Sequence, residues 1–219
     1  MVVTASVICI AAIEIKSGYR KDKHPSMVAE VIPMMRNWVA KDYPGTKLAI
    51  TEYNWGGLEH INGALAQADI LGIFGREGLD IGTLWGPPDP TKSQTPGLMA
   101  FEVFRNYDGK NAMFGDMAIS SVSADQGKLS VYGAVRTKDN MVTLVVINKT
   151  YGDLASTLSV NNLPAAVTSA QSFLYSNANL SAIVAQPNVT VTPPSGSSTA
   201  STISTTFPAQ SITLLVMPN

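Results

Sequence analysis

Near Met113 the hydrophobic period of this 219-residue chain changes, and that change constrains the fold more than any single motif does. Upstream, apolar residues recur at helical spacing over residues 27–39, 61–78 and 96–107, and these stretches read as helices. Between them, the run 48–50 and the stretch 79–85 read as short strands, each followed by a glycine-bearing loop. Downstream, residues 118–123, 129–136, 141–148, 155–160, 170–175, 188–192 and 211–217 are short strand candidates separated by turn residues, a spacing that predicts an antiparallel β-sandwich. Residues 193–204, rich in Ser and Thr, read as a mobile loop between the last two strands. The expected organisation is an unmatched N-terminal segment 1–25, an α/β part 26–110 and a β-sandwich 111–219.

Charge narrows the partners. With 15 basic and 16 acidic residues the chain has no electrostatic footprint for nucleic acid or an anionic membrane. After Asp153 no Asp, Glu, Lys or Arg occurs, so this stretch relies on Ser, Thr, Asn and Gln for solubility. Such a surface is frequent in secreted proteins that meet uncharged polymers, and a low-complexity tail looks similar. Cys9 stands alone, which excludes an intrachain disulfide, and His24 and His60 lack partners at metal-ligand spacing. No metal and no cofactor is expected.

Residues 2–13 are apolar but lack a preceding positive charge and a small-residue cleavage site, and they are too short to span a bilayer, so residues 2–15 read as strand rather than as a signal peptide. Ser26 is placed to cap the first helix, and Pro33 either kinks that helix or lies in its first turn. Trp38 on this helix is expected in the core.

The stretch KLAITEYNWGG, residues 47–57, carries the chemistry. Its apolar run ends in Glu52, followed by Tyr53, Asn54 and Trp55. In barrels of alternating strands and helices the reacting groups sit at strand C-terminal ends, where the loops open into the cleft. A carboxylate there can attack or stabilise an electron-poor carbon while aromatic faces stack on a sugar ring, or it can simply cap the next helix. Trp85, directly before Gly86-Pro87-Pro88, ends the next strand and would share that cleft, the alternative being a buried core tryptophan. In the β-sandwich no catalytic cluster is visible, leaving structural support or polysaccharide binding.

Residues 50–88, ITEYNWGGLEHINGALAQADILGIFGREGLDIGTLWGPP, closely resemble the catalytic region of glycoside hydrolase family 44, the endo-β-1,4-glucanases and xyloglucanases. The upstream piece IPMMRNWVAKDYPGTKLA and the final SITLLVMP resemble it too, so the resemblance covers residues 31–219. It implies a retaining hydrolase, extracellular, with a (β/α)8 TIM-like barrel followed by an antiparallel β-sandwich, acting on a β-1,4-glucan polysaccharide or oligosaccharide. The family's nucleophile falls on Glu52 and its subsite indole on Trp85, with Tyr53 and Trp55 lining the same cleft; Asn54 between them is taken as substrate-binding.

The departures are equally specific. The Asn-Glu-Pro segment that carries the family's acid/base carboxylate is absent, as are the first six barrel strands and the calcium ligands of that half. The chain is therefore expected to represent the C-terminal part, with its exposed sheet edge covered by another copy, a complementing barrel half, the sandwich or the strand at residues 2–15; in the family such an N-terminal strand joins the sandwich. Glu14, Glu59 and Glu77 are candidates for a substitute acid. The alternative to an enzyme is a non-catalytic β-glucan-binding or structural fragment.

Overall fold

A computed structural model of the chain describes residues 7–10, 27–196 and 198–219. Two compact units emerge: Met1–Gly56 with Ile73–Pro87, and Gly57–Gly72 with Pro88–Asn219.

The first unit is built on a three-stranded parallel sheet in the order β1-β2-β3, with β1 at Val7–Ile10, β2 at Lys47–Tyr53 and β3 at Ile81–Leu84. β1 pairs with β2 in the register Val7 to Lys47 through Ile10 to Ile50, so the N-terminal strand joins this sheet and not the β-sandwich. The rest of the strand expected over residues 2–15, with Glu14, His24 and Ser26, lies outside the described residues. Parallel strands buried on both faces need continuous apolar sequence, which Leu48, Ala49 and Ile50 provide at the sheet centre.

Helix α1, Met27–Asp42, runs continuously through Pro33. Its inward stripe is Ile32 and Val39, seven residues apart and thus nearly on one line of the helix surface. Trp38 lies about 100° around the helix from Val39 and is 52% exposed, which corrects the expectation of a core tryptophan. Helix α2, Ile61–Glu77, ends where Gly78 takes φ +65°. There the Leu79 N–H donates to the Phe74 carbonyl (2.9 Å) and the Gly78 N–H to that of Gly75 (3.2 Å), the paired bonds of a Schellman stop. The Arg36 guanidinium donates to the Glu77 carbonyl (2.8 Å) and closes the same terminus.

In the second unit a six-stranded antiparallel sheet, order β4-β5-β6-β11-β8-β9, faces a two-stranded sheet of β7 and β10. The strands are β4 Met117–Ile119, β5 Leu129–Arg136, β6 Met141–Asn148, β7 Leu154–Asn161, β8 Ser169–Ser176, β9 Asn179–Thr190, β10 Ala200–Phe207 and β11 Ser211–Pro218. Alternation assigns each face. Val142, Leu144, Leu215 and Met217 meet Val160 of β7 and Ile203 of β10 in one core. The register row Tyr132, Val145, Leu214 and Phe173 lies on the opposite face. That face is covered in turn: Gly72 of α2 abuts the Tyr132 ring, and Tyr107, just beyond α3 at Thr95–Arg105, packs on Phe173 with ring centroids 4.8 Å apart. β6 and β11 are consequently buried on both sides.

Two sequence readings change here. Residues 200–204, expected as loop, are the first five of the eight residues of β10, because Ser201, Ile203 and Phe207 turn inward and the strand pairs with β7 in a full antiparallel ladder. β9 begins at Asn179 rather than near residue 188. The β-sandwich itself stands as expected.

Candidate functional site

Everything proposed for catalysis lies at the C-terminal ends of β2 and β3, which are hydrogen-bonded neighbours running in parallel. The ladder pairs Ile50 with Gly82 and Tyr53 with Leu84, leaving two residues, Thr51 and Glu52, opposite one, Thr83. A bulge of that kind re-aims the side chains it carries. The Thr83 hydroxyl donates to the Thr51 carbonyl across this irregularity.

Tyr53, the neighbour of Glu52 in sequence, turns to the helix side. It is 4% exposed, its ring edge-on to Phe74 of α2 at 5.2 Å, and Gly82 leaves the space that Phe74 fills. Glu52 is exposed, as adjacent residues on a strand point to opposite faces. Among the described residues its carboxylate has no hydrogen bond and no ion pair. The exposed face of β3 continues with Ile81 at 47%, Thr83, and Trp85 at 66% exposure just past the strand end. A large aromatic side chain presented so openly, beside an unpaired carboxylate, is what a ligand-stacking platform needs.

The loops that follow are fixed by backbone chemistry. The Trp85 N–H donates to the Tyr53 carbonyl (2.8 Å), extending the ladder one step. Asn54 donates from Nδ2 to the Trp85 carbonyl (2.7 Å) and accepts at Oδ1 from the Gly56 N–H (2.7 Å). Gly56 and Gly57 take φ +71° and +63°, a conformation that costs glycine little and other residues much. Trp55 is half-buried, and its indole N–H is buried with no hydrogen-bond partner. Of the four residues expected around Glu52, the structure thus sets Trp85 in the open, Trp55 partly so, Asn54 against the next loop and Tyr53 in the core. Sequence reasoning missed Thr83 and Ile81, because only the strand register reveals that they share the open face of β3 with Trp85.

A second carboxyl is needed for glycoside hydrolysis. Glu77 ends α2, which leads into the N-terminal end of β3, and its carboxylate is engaged by Arg76 at 2.8 Å. Glu59 has His60 at 3.9 Å. Among the described residues no group of three or more His, Cys, Asp or Glu is placed to hold a metal ion.

Comparison with known proteins gives a consistent likeness. No family model matches the chain. An endoglucanase A of Paenibacillus lautus is 39% identical over 124 residues, 56% of this chain and 17% of that protein. The crystal structure of CelM2, a bifunctional glucanase-xylanase from a metagenome library, superposes with TM-score 0.77 at 43% identity, over 86% of this chain and 34% of that one. A Paenibacillus polymyxa xyloglucanase of family 44, solved with xyloglucan, gives TM-score 0.73 at 28% identity over 86% of this chain and 35% of its own. The chain thus spans about a sixth of the first relative and about a third of the two structures.

Proposed function

Starting from its similarity in sequence and structure to glycoside hydrolase family 44, we propose that this chain is the nucleophile-bearing part of a retaining endo-β-1,4-glucanase, C-terminal in such an enzyme, with Glu52 as nucleophile. The observation that carries this reading is the exposure of Glu52 and Trp85 at adjoining ends of two neighbouring parallel strands. β2 and β3 are then the last two strands of a (β/α)8 barrel, and the open face bearing Ile81, Thr83 and Trp85 is its interior, to be completed by further β/α units or a complementing chain. That accounts for an apolar side chain such as Ile81 standing in solvent.

In the proposed reaction the Glu52 carboxylate attacks the anomeric carbon of a β-1,4-linked glucan. The glycosidic C–O bond breaks, and the leaving oxygen takes a proton from a second carboxyl about 5 Å away. Water, deprotonated by that same carboxyl, then attacks the anomeric carbon of the glycosyl ester and releases Glu52. Trp85 supports the sugar ring by stacking, with Trp55 beside it. Tyr53 acts from beneath, by packing on Phe74 and fixing the strand end. Xyloglucan, named with one structural relative, and xylan, named with another, are the polymers to test beside plain β-glucan, in an extracellular setting.

Glu77's position at the far end of β3 and its engagement by Arg76 favour a second reading, a β-glucan-binding unit without catalysis. One experiment separates the two. Hydrolysis of carboxymethyl-cellulose or xyloglucan by the wild-type chain, lost in Glu52→Gln, supports the enzyme. An inert wild type that is retarded in a β-glucan affinity gel supports the binding unit. A chain that does neither overturns both.

A further inference from the structure

We infer that Asn54 is a positioning residue, which locks the Trp85 loop to the tip of β2 so that indole and Glu52 keep one geometry. The inference rests on the reading of Glu52 and Trp85 given above, and it replaces the expectation that Asn54 contacts sugar.

Beyond the pair Tyr53–Leu84 the two strands have no further register. The Trp85 peptide nevertheless is held on both sides: its N–H by the Tyr53 carbonyl (2.8 Å), its C=O by the Asn54 amide (2.7 Å). Asn54 supplies with its side chain the rung that the main chain of β2 no longer can, since that main chain turns away into left-handed Gly56 and Gly57. The same side chain builds the turn, because Oδ1 accepts from the N–H two residues on (2.7 Å). Only a short side chain with an acceptor and a donor on one planar group does both. Aspartate keeps the turn and sets a carboxylate oxygen against the Trp85 carbonyl. Alanine loses both bonds.

The consequence concerns the sugar platform. Trp85 is 66% exposed and gains little order from packing, so its main chain is what aims the ring. Freeing that peptide spreads the indole over many orientations, and a stacked ligand then has to select one.

The test uses the full chain with Asn54→Asp and Asn54→Ala, comparing amide exchange protection of the Trp85 N–H by NMR with the affinity for cellohexaose. Unchanged amide signals and protection at Leu48, Ala49 and Ile50, the buried centre of β2 in the same unit, certify that this unit is folded in each variant. At pH 7 both variants are expected to lower Trp85 protection about tenfold, the value of one ordinary hydrogen bond, and to weaken cellohexaose binding by a similar factor. Below about pH 4 the introduced carboxyl regains a proton to donate, so Asn54→Asp recovers protection while Asn54→Ala does not. Protection at the wild-type level in both variants overturns the inference. Protection lost with affinity intact also overturns it, because the bond then serves the fold and not the site. If the wild-type chain fails to bind cellohexaose although Trp85 protection responds as expected, the functional reading of Trp85 has failed and this role for Asn54 falls with it.

Discussion

Gly72 shows how much a single missing carbon decides. A Cβ at that position would lie 2.2 Å from the Tyr132 ring, so helix and sheet approach as closely as they do only because no side chain intervenes. The contact is reinforced beside it: the Tyr132 hydroxyl donates to Asp69 Oδ1 (2.8 Å) and accepts from Gln126 (2.8 Å), while Lys149 reaches Asp69 Oδ2 at 2.9 Å. Gly72→Ala is expected to lower stability by about 1–3 kcal/mol, as overpacking does, and Tyr132→Phe by about 1–2 kcal/mol through its lost hydrogen bonds; urea unfolding measures both. A wild-type midpoint for Gly72→Ala would show that the helix shifts freely. At this scale Glu52 and Trp85 were legible, since a carboxylate and an indole at strand ends are visible in one dimension. The inward turn of Tyr53 was not, because one bulged residue reverses which face a side chain takes.

Among the elements, β10 is the informative case. Its sequence ASTISTTF has no charge and follows Pro193-Pro194 and Gly196, composition that reads as linker. Thr and Ile are nevertheless good strand residues, and Ile203, fully buried between the sheets, gives the segment its place. Ile203→Ala is expected to cost about 2–4 kcal/mol, read as an earlier denaturation midpoint, whereas a mobile loop would tolerate it unchanged. Helix α2 makes a contrasting prediction. Gly78→Ala forces a side chain into φ +65° with Arg36 only 3.0 Å away, and about 1 kcal/mol of stability should be lost in thermal melts. Arg76, Glu77 and Gly78 spell a helix end locally, with no help from distant residues.

At the scale of the whole molecule, acid sensitivity can be given a sign. The Thr137 hydroxyl and backbone N–H hold the Asp116 carboxyl below the usual carboxylate range, and Arg136, donating at 2.8 Å, does the same to Asp139. A group lowered in the folded state contributes stability that is complete above its unfolded value near 4 and disappears as the pH falls through its folded value. Melting temperature is therefore expected to drop below about pH 4, and Asp116→Asn with Asp139→Asn should flatten that drop while lowering stability at pH 7. An unchanged acid profile in the double variant would assign the effect to other carboxylates.

The amino-acid sequence alone determined the alternation of helix and strand before Met113, the β-sandwich after it, the carboxylate and indole at successive strand ends, and the likeness to family 44. All of these depend on period, local turn chemistry or identity along the chain, which are properties of neighbours in sequence. Tertiary structure decided what depends on residues far apart: that β1 pairs with β2, that β10 is a strand, that Tyr53 is core, and that Asn54 reaches the Trp85 carbonyl 31 residues away. A hydrogen bond or a packed ring needs two partners at fixed separation. Their separation is set only when the sheet has formed and its register is chosen.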